Sequence, residues 1–515
     1  MPESRTAKSL KNAKVSFFYY FIFLILSFWS RKVFFDYLGA EITGLESTAS
    51  NLFGVLNLAE LGVGMSVTYF LYKPLFNKDI ATINKIVALQ GWLYRRVAAI
   101  IIVASCILMA FFPLIFKGIK VPLWNAYVVF SVLLLNSLIG YFINYRQIVL
   151  NTDQKGYKVA RVTQATGVVM RLCCIFLFPI VPNPFLFYIA LNVVSTLFSC
   201  WWLNHTIDNE YPWLSTKGIN GKKVLKEYPD VIKKTKQVFI HRITSVILFN
   251  VTPLLMYAYS SLTIVAYYAN YLLIVSKFRD VIGMAYNSMG AGIGNLIASG
   301  DEKKIRRVFW ELYDSRFCIA FIVLLSIYFL SHQFIALWLG EEYVLGQVIL
   351  LLLIINQSIF ITRLTVDHYI NGYGLFKDVW APMVEGCINI VAALSFGALM
   401  GYAGVILGNI TSQLLIICIW KPIFLFRDGF RDSVWSYFRP VIFRYSVITA
   451  DIIAFTLIFD LFLPSRMNSY IEFAFYSAIV FLIISIVIVA EFCTFSQGMR
   501  DFILRLKGIL QHKFV

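Results

Sequence analysis

Apolar runs of about 20 residues recur from one end of this chain to the other, and that feature leaves few folds open to it. A helix of that length crosses a hydrocarbon core of about 30 Å. Lipid offers no water to backbone amides and carbonyls, so each crossing segment must close its hydrogen bonds within itself. Of the 515 residues, 59% are hydrophobic and 14% charged, too little polar surface for a soluble domain of this size. The expectation is an all-α, polytopic membrane protein with about 14 transmembrane helices.

The runs place spans near 15–38, 45–72, 86–113, 122–145, 162–180 and 184–206. A second set lies near 237–257, 263–298, 317–338, 345–370, 379–400 and 402–420, and two more near 445–463 and 470–494. The segment 263–298 is too long for one straight crossing, so it is expected to kink near Gly283 or to project from the membrane. Met1–Lys14 is polar and basic, and no small-residue cleavage site follows the apolar run that starts at Val15, so the first span is read as uncleaved.

Charge orients the stack. With the N-terminus inside, only Arg31 and Lys32, at the outer part of the first span, and Lys117, Lys120 and Arg466 count to the outer side. Most other Lys and Arg fall in the alternate gaps, as expected where loops meet an anionic cytoplasmic leaflet. Both termini are therefore expected in the cytoplasm. The formal charge of +17 is explained by these gaps, and no nucleic-acid module accompanies it. The eight cysteines lie in apolar runs without a CxxC, so they read as small buried side chains and imply no metal site.

Ile207–Lys236 mixes Lys with Asp and Glu and contains Pro212 and Pro229. It reads as a linker at 207–236 between six-helix bundles at 1–206 and 237–430, with two additional helices and a cytoplasmic tail at 431–515. Its GINGKK sequence at Gly218–Lys223 lacks P-loop spacing, so no ATPase engine is expected. A weak repeat, with Asn151 matching Asn371, supports the two bundles.

Besides Arg31 and Lys32, seven basic residues fall inside the spans: Arg95, Arg96, Arg171, Arg242, Lys277, Arg279 and Arg363. Each costs about 2.5–3.5 kcal/mol at a helix centre unless it snorkels, pairs or faces water. Arg95, Arg96 and Arg242 lie near inner ends, where snorkelling serves. Arg171 shares a helical face with Gln164, and Lys277 shares one with Asn270, with Asp280 a turn away. Arg363 stands one turn before Asp367, a spacing that also suits a purely structural pair. Lys32 and Asp36 can neutralise each other on the first helix, so Arg31 must draw its counter-charge from elsewhere. Glu60 is either a structural partner for an arginine or a site for a cation or proton. Tyr267, Tyr268 and Tyr271 suit an interfacial belt or stacking on sugar rings.

Six blocks, in order, carry a resemblance over most of residues 15–430. They are RKVFFDYLGAEITGL (Arg31–Leu45), LAELGVGMSVTYFLYKPL (Leu58–Leu75) and the long stretch Tyr267–Gly300. FIALWLGEEY (Phe334–Tyr343), GYGLFKDVWAPMVEGCINI (Gly372–Ile390) and GVILGNITSQLL (Gly404–Leu415) complete the set. The chain resembles the Wzx-like O-antigen and capsule flippases of the multidrug/oligosaccharidyl-lipid/polysaccharide exporter superfamily. The resemblance implies two six-helix bundles around a central cavity plus two helices, in a bacterial inner membrane. It implies an oligosaccharide on polyprenyl pyrophosphate as substrate, moved by alternating access with proton or sodium coupling or the membrane potential, and no cofactor. It implies cationic residues holding the pyrophosphate, a role that falls on Arg31, Arg171, Lys277, Arg279 and Arg363. Glu60, Asp280 and Asp367 are left for ion coupling or structural pairing. Membrane lipids and other polysaccharide-assembly proteins are the expected partners.

Two alternatives stay open. One is an exporter of another lipid-linked precursor or small molecule. The other is a membrane glycosyltransferase or polymerase, which usually needs acidic groups on a sizeable outer loop. Here the outer loops are short, and Glu341 and Glu342 are their only adjacent carboxylates. A transporter rather than an enzyme is the expectation.

Overall fold

The computed structural model describes residues 5–60, 62–246, 250–287, 290–375, 377–378, 380–464 and 466–513. Every regular element among them is helical. Eleven of the helices are long and apolar enough to cross a membrane. The chain divides into two compact units, Met1–Ala266 and Tyr267–Val515.

The first unit opens with α1 (Arg5–Leu56), which is 52 residues long, about 78 Å at 1.5 Å per residue. No single crossing needs that length. The helix breaks at Gly39, where φ is 76° and ψ is 170°, a conformation that a β-carbon would strain. The first expected span and the start of the second are therefore two halves of one broken helix. A short 3₁₀ turn (Asn57–Glu60) leads to α2 (Val63–Asn77). Next come α3 (Ile80–Ala110), α4 (Phe112–Ile115), α5 (Trp124–Phe142), α6 (Ile148–Thr152) and α7 (Gly156–Leu177). Then follow α8 (Pro184–Glu210), α9 (Gly221–Glu227), α10 (Asp230–Val246) and α11 (Thr252–Ala258), and the first turn of α12 (Leu262–Asn287).

Local chemistry starts these helices. Asp79 caps α3 by accepting from the Thr82 amide at 3.0 Å. Asn183 caps α8 in the same way through Leu186, with Pro184 in the first turn where its missing amide costs nothing.

The segment 207–236 is folded onto this unit. Ile207, Tyr211, Leu214, Val224 and Val231 are buried in the same core as Val67 and Leu71 of α2 and Ile86 of α3. Asn84 of α3 donates to the Trp213 carbonyl at 3.2 Å, and Lys85 pairs with Glu227 at 2.9 Å. Gly221 sits so close to Trp92 that a methyl there would overlap it.

The second unit takes the rest of α12, then α13 (Gly290–Ala298), α14 (Glu302–Trp338), α15 (Gln347–Gly372) and α16 (Trp380–Met400). α17 (Tyr402–Gln413) runs on through wide π turns at Leu414–Trp420 and Leu425–Gly429, which flank α18 (Lys421–Phe424). It ends with α19 (Trp435–Phe462), α20 (Tyr470–Phe495) and α21 (Gln497–Lys513). The expected kink near Gly283 is absent. α12 runs through that residue to Asn287, because an isolated glycine lowers helix propensity without forcing a break.

Buried α14 is the spine of this unit. Phe309, Phe317 and Leu325 on it, Tyr369 on α15, Phe455 on α19 and Phe492 on α20 share one core. Paired charges tie other elements to it: Arg307 grips Asp501 of α21 at 2.7 and 2.8 Å, and Arg505 reaches Glu311 at 2.8 Å.

Three expected spans, 45–72, 237–257 and 263–298, hold more than one described helix; residues 247–249 and 288–289, inside the last two, lie outside the described residues. The first is divided between α1, the 3₁₀ turn and α2. The second is divided between α10 and α11, and the third between α12 and α13.

Candidate functional site

The charges expected in the membrane gather in two places, one in each unit. In the first unit, Arg31 of α1 and Arg171 of α7 are both half-buried, and both feel the same Glu46 and Tyr188 electrostatically. The Tyr188 hydroxyl donates to Glu46 at 2.5 Å, fixing the carboxylate. Its ring packs edge-on against Phe34 at 4.9 Å. Arg31 lies over the Phe35 ring at 5.2 Å and donates to the Ala266 carbonyl at 3.4 Å. Arg171 lies over Phe23 at 4.5 Å and donates to the Gly167 carbonyl at 3.4 Å. Each guanidinium thus rests on its own aromatic face, and both lie within electrostatic reach of one carboxylate, Glu46.

Lys32 and Asp36 do pair, at 3.8 Å, on an exposed part of α1. Arg95 and Arg96 are exposed on α3, and Arg96 stacks over Trp92 at 3.9 Å. The side chain of Arg242 lies outside those described. Glu60 stands apart from the arginine pair; its partner is the Tyr94 hydroxyl, at 2.9 Å.

In the second unit, α12 and α15 bring Arg279 and Arg363 to one ring. Their guanidiniums lie 4.9 and 4.8 Å from the centre of Phe360. Arg279 donates to Gln357 at 3.2 Å. Asp280, expected to answer Lys277, lies 3.7 Å from Arg279. Lys277 is half-buried on the same helix. Arg363 pairs with Asp367 at 3.3 Å, one turn along α15, as their spacing allowed. That carboxylate is also claimed by Lys421, at 2.5 Å.

Three members of this cluster were not singled out in the sequence. Lys421 directly follows an expected span and reads as a loop residue, yet the wide turns carry the helix past it. Arg316 precedes the expected start of its span, yet it is only 3% exposed inside α14. It donates to Thr365 at 3.2 Å and lies over Tyr286 at 4.4 Å. Glu385 of α16 is buried within electrostatic reach of Arg363 and Lys421. Arg279, Arg316, Arg363 and Lys421 therefore outnumber Asp280, Asp367 and Glu385.

The tyrosines of α12 do not form a belt. Tyr268 and Tyr271 are buried, and Tyr271 accepts from the Leu345 amide at 3.2 Å. Among the described residues no group of His, Cys, Asp and Glu is arranged to hold a metal ion.

The chemistry of the two clusters is that of low-dielectric cationic sites: charge-assisted donors that can replace the water of an anion.

No family model matches the chain, and no curated protein matches it. Solved structures share its fold. A lipid II flippase, MurJ, in an inward closed conformation superposes with a TM-score of 0.64 at 14% identity, covering 96% of this chain and 99% of the flippase. An inward-facing multidrug resistance MATE family transporter of the MOP superfamily gives 0.61 at 12%, covering 79% and 95%. The VcmN MATE transporter of Vibrio cholerae gives 0.50 at 11%, covering 84% and 99%. At these identities the likeness is one of fold: an all-α, multi-pass membrane architecture.

Proposed function

We propose that the protein is a transporter that moves an oligosaccharide linked to polyprenyl pyrophosphate from the cytoplasmic to the outer leaflet of a bacterial inner membrane, for surface polysaccharide assembly. It works by alternating access, with both termini in the cytoplasm. The observation that carries this reading is the cluster in the second unit, where Arg279, Arg316, Arg363 and Lys421 outnumber the described carboxylates Asp280, Asp367 and Glu385. Bare pyrophosphate would lose tens of kcal/mol of hydration in hydrocarbon (an order-of-magnitude cost), whereas guanidinium and ammonium donors replace that water. Arg31, Arg171, Lys277, Arg279 and Arg363 are assigned to the pyrophosphate, now joined by Lys421.

The second reading, export of another lipid-linked precursor, is favoured over drug export by the comparison with solved structures. The share of this chain matched is 96% for the lipid II flippase and 79% for the MATE transporter. Excess positive charge also disfavours cationic drugs.

Flipping of a fluorescent lipid-linked glycan in proteoliposomes tests the proposal. Arg279→Gln and Arg363→Gln are each expected to lower the rate about tenfold or more, the size of one lost charge-assisted hydrogen bond. Membrane abundance should hold, because Asp367 keeps Lys421 when Arg363 is gone. A parallel fall in protein and activity would assign these residues to structure. Sugar transfer by the purified protein would favour the glycosyltransferase class instead.

Outward movement of an anion runs with an inside-negative potential, about 2.3 kcal/mol per charge per 100 mV. Collapsing the potential with ion gradients clamped should therefore slow flipping. An unchanged rate would remove this driving force from the mechanism.

A further inference from the structure

Apart from the cationic clusters, the first unit contains a cavity of about 360 Å³, lined by both polar and apolar side chains, between the 3₁₀ turn, α2, α3 and the stretch from Tyr145 to Asn151. Its wall includes Glu60, Thr68, Gln90, Tyr94, Tyr145 and Asn151. We infer that this cavity is a sugar-binding subsite, recognising a hydroxyl-rich ring of the glycan by hydrogen bonds and aromatic contact. The inference rests on the proposed function and deepens it, since it assigns glycan selectivity to residues separate from those holding the pyrophosphate.

The cavity is built rather than incidental. Tyr145 packs against α3 at Gly91, where a β-carbon would lie 2.9 Å from its ring, and its hydroxyl bonds Thr216 at 2.9 Å. The aromatic wall is thereby fixed on two sides. Tyr94 donates to Glu60 and meets Tyr141 edge-on at 5.2 Å, and Tyr141 in turn donates to Asn57. Gly64 keeps the space open, because a methyl there would stand 3.2 Å from the Tyr94 hydroxyl.

One acceptor in the cavity wall lacks a donor. Gln90 is 2% exposed, and its Oε1 has no hydrogen-bond partner among the described residues. A buried acceptor left so is unfavourable, and a ligand O–H or N–H would relieve it. Asn151 and Thr68 add groups that both donate and accept, and Glu60 adds an acceptor. A single cation fits poorly: the volume lies at the lower end of the range for small-molecule sites, about 300–1,000 Å³, and is more than ten times the roughly 30 Å³ share of one water. The mixture of amides, hydroxyls, one carboxylate and tyrosine faces suits one or two neutral or amino-sugar rings.

The test uses the full-length protein in lipid nanodiscs, with glucose, galactose, N-acetylglucosamine and lactose as free probes in saturation-transfer NMR and calorimetry. At least one sugar should bind, without dependence on sodium. Gln90→Leu and Tyr94→Phe should each weaken it about tenfold, and Gly64→Val, which fills the space, should abolish it. The same variants are assayed for flipping a set of lipid-linked glycans, where their relative rates between glycans should change. Unchanged selectivity in well-folded variants overturns the subsite while leaving the transporter intact. Saturation by sodium alone, lost in the same variants, also overturns it in favour of a cation site. Sugar binding at the cavity by a protein that flips nothing would overturn the transport reading and leave the subsite standing.

Discussion

Alanine at Gly408 is expected to destabilise the protein by about 3 kcal/mol or more, a large effect for one methyl group. α16 ends at Met400 and α17 begins at Tyr402, with Gly401 alone in the turn at φ 62°. The helices then run so close that a β-carbon on Gly408 would lie 2.5 Å from Cα of Ala393, and one on Gly404 would overlap the Phe396 carbonyl. These obstacles are backbone, which cannot swing aside as a side chain can. Gly404 and Gly408 are four apart and share a face, the small-xxx-small arrangement that lets helices associate in lipid by close contact. The expected result for Gly408→Ala is a lower melting temperature in detergent and reduced membrane abundance, with Gly404→Ala similar. A neighbouring change on the exposed side, Leu399→Ala, should leave both near wild type. Melting at the wild-type temperature in both glycine variants would mean that α16 and α17 can separate without loss.

The second large effect concerns Asp314 and Arg444. Nε and Nη2 of the guanidinium reach the two carboxylate oxygens at 2.6 and 2.9 Å, and the pair is almost wholly buried. The Ser496 hydroxyl donates to the same carboxylate. One anion on α14 therefore holds α19 and the junction of α20 with α21. Removing either partner strands the other in low dielectric, so Asp314→Ala and Arg444→Ala should each cost about 3–5 kcal/mol. The double change Asp314→Leu with Arg444→Met should recover most of that loss, since an apolar pair of similar volume is often neutral. Unfolding of the wild type, Asp314→Leu, Arg444→Met and their combination in a double-mutant cycle reads the coupling directly. Additive losses would show that the two charges are satisfied independently.

These two sites also show where the sequence was legible. Hydropathy alone established helices and membrane, because an apolar run in lipid has no other way to satisfy its backbone. It was poorer on where helices begin. α14 starts at Glu302 and α19 at Trp435, against expected starts at 317 and 445. The difference lies in charges that end an apolar run in sequence but are answered in space. Arg306 meets Asp432, and Asp314 meets Arg444, more than a hundred residues away. The candidate site divides the same way. Arg363 and Asp367 were readable because their spacing is a helical turn. Lys421 was not, because its meaning depends on a carboxylate 54 positions earlier and on wide turns that shift its facing. Glu46 lay inside an expected span, but only the neighbouring helices reveal that it serves two arginines. Gly39 breaks a helix and Gly283 does not, and the residue type alone does not say which of the two takes a positive φ.

The double claim on Asp367 has a consequence for how an anion could enter and leave. A carboxylate with one counter-ion holds it hostage: to move the cation is to strand the acid. Asp367 has two. Either Arg363 or Lys421 can turn to an arriving phosphate while the other remains in place, and the exchange runs backward just as smoothly when the cargo departs. In such a site the acid need never be stranded, so it can grip firmly and still let go.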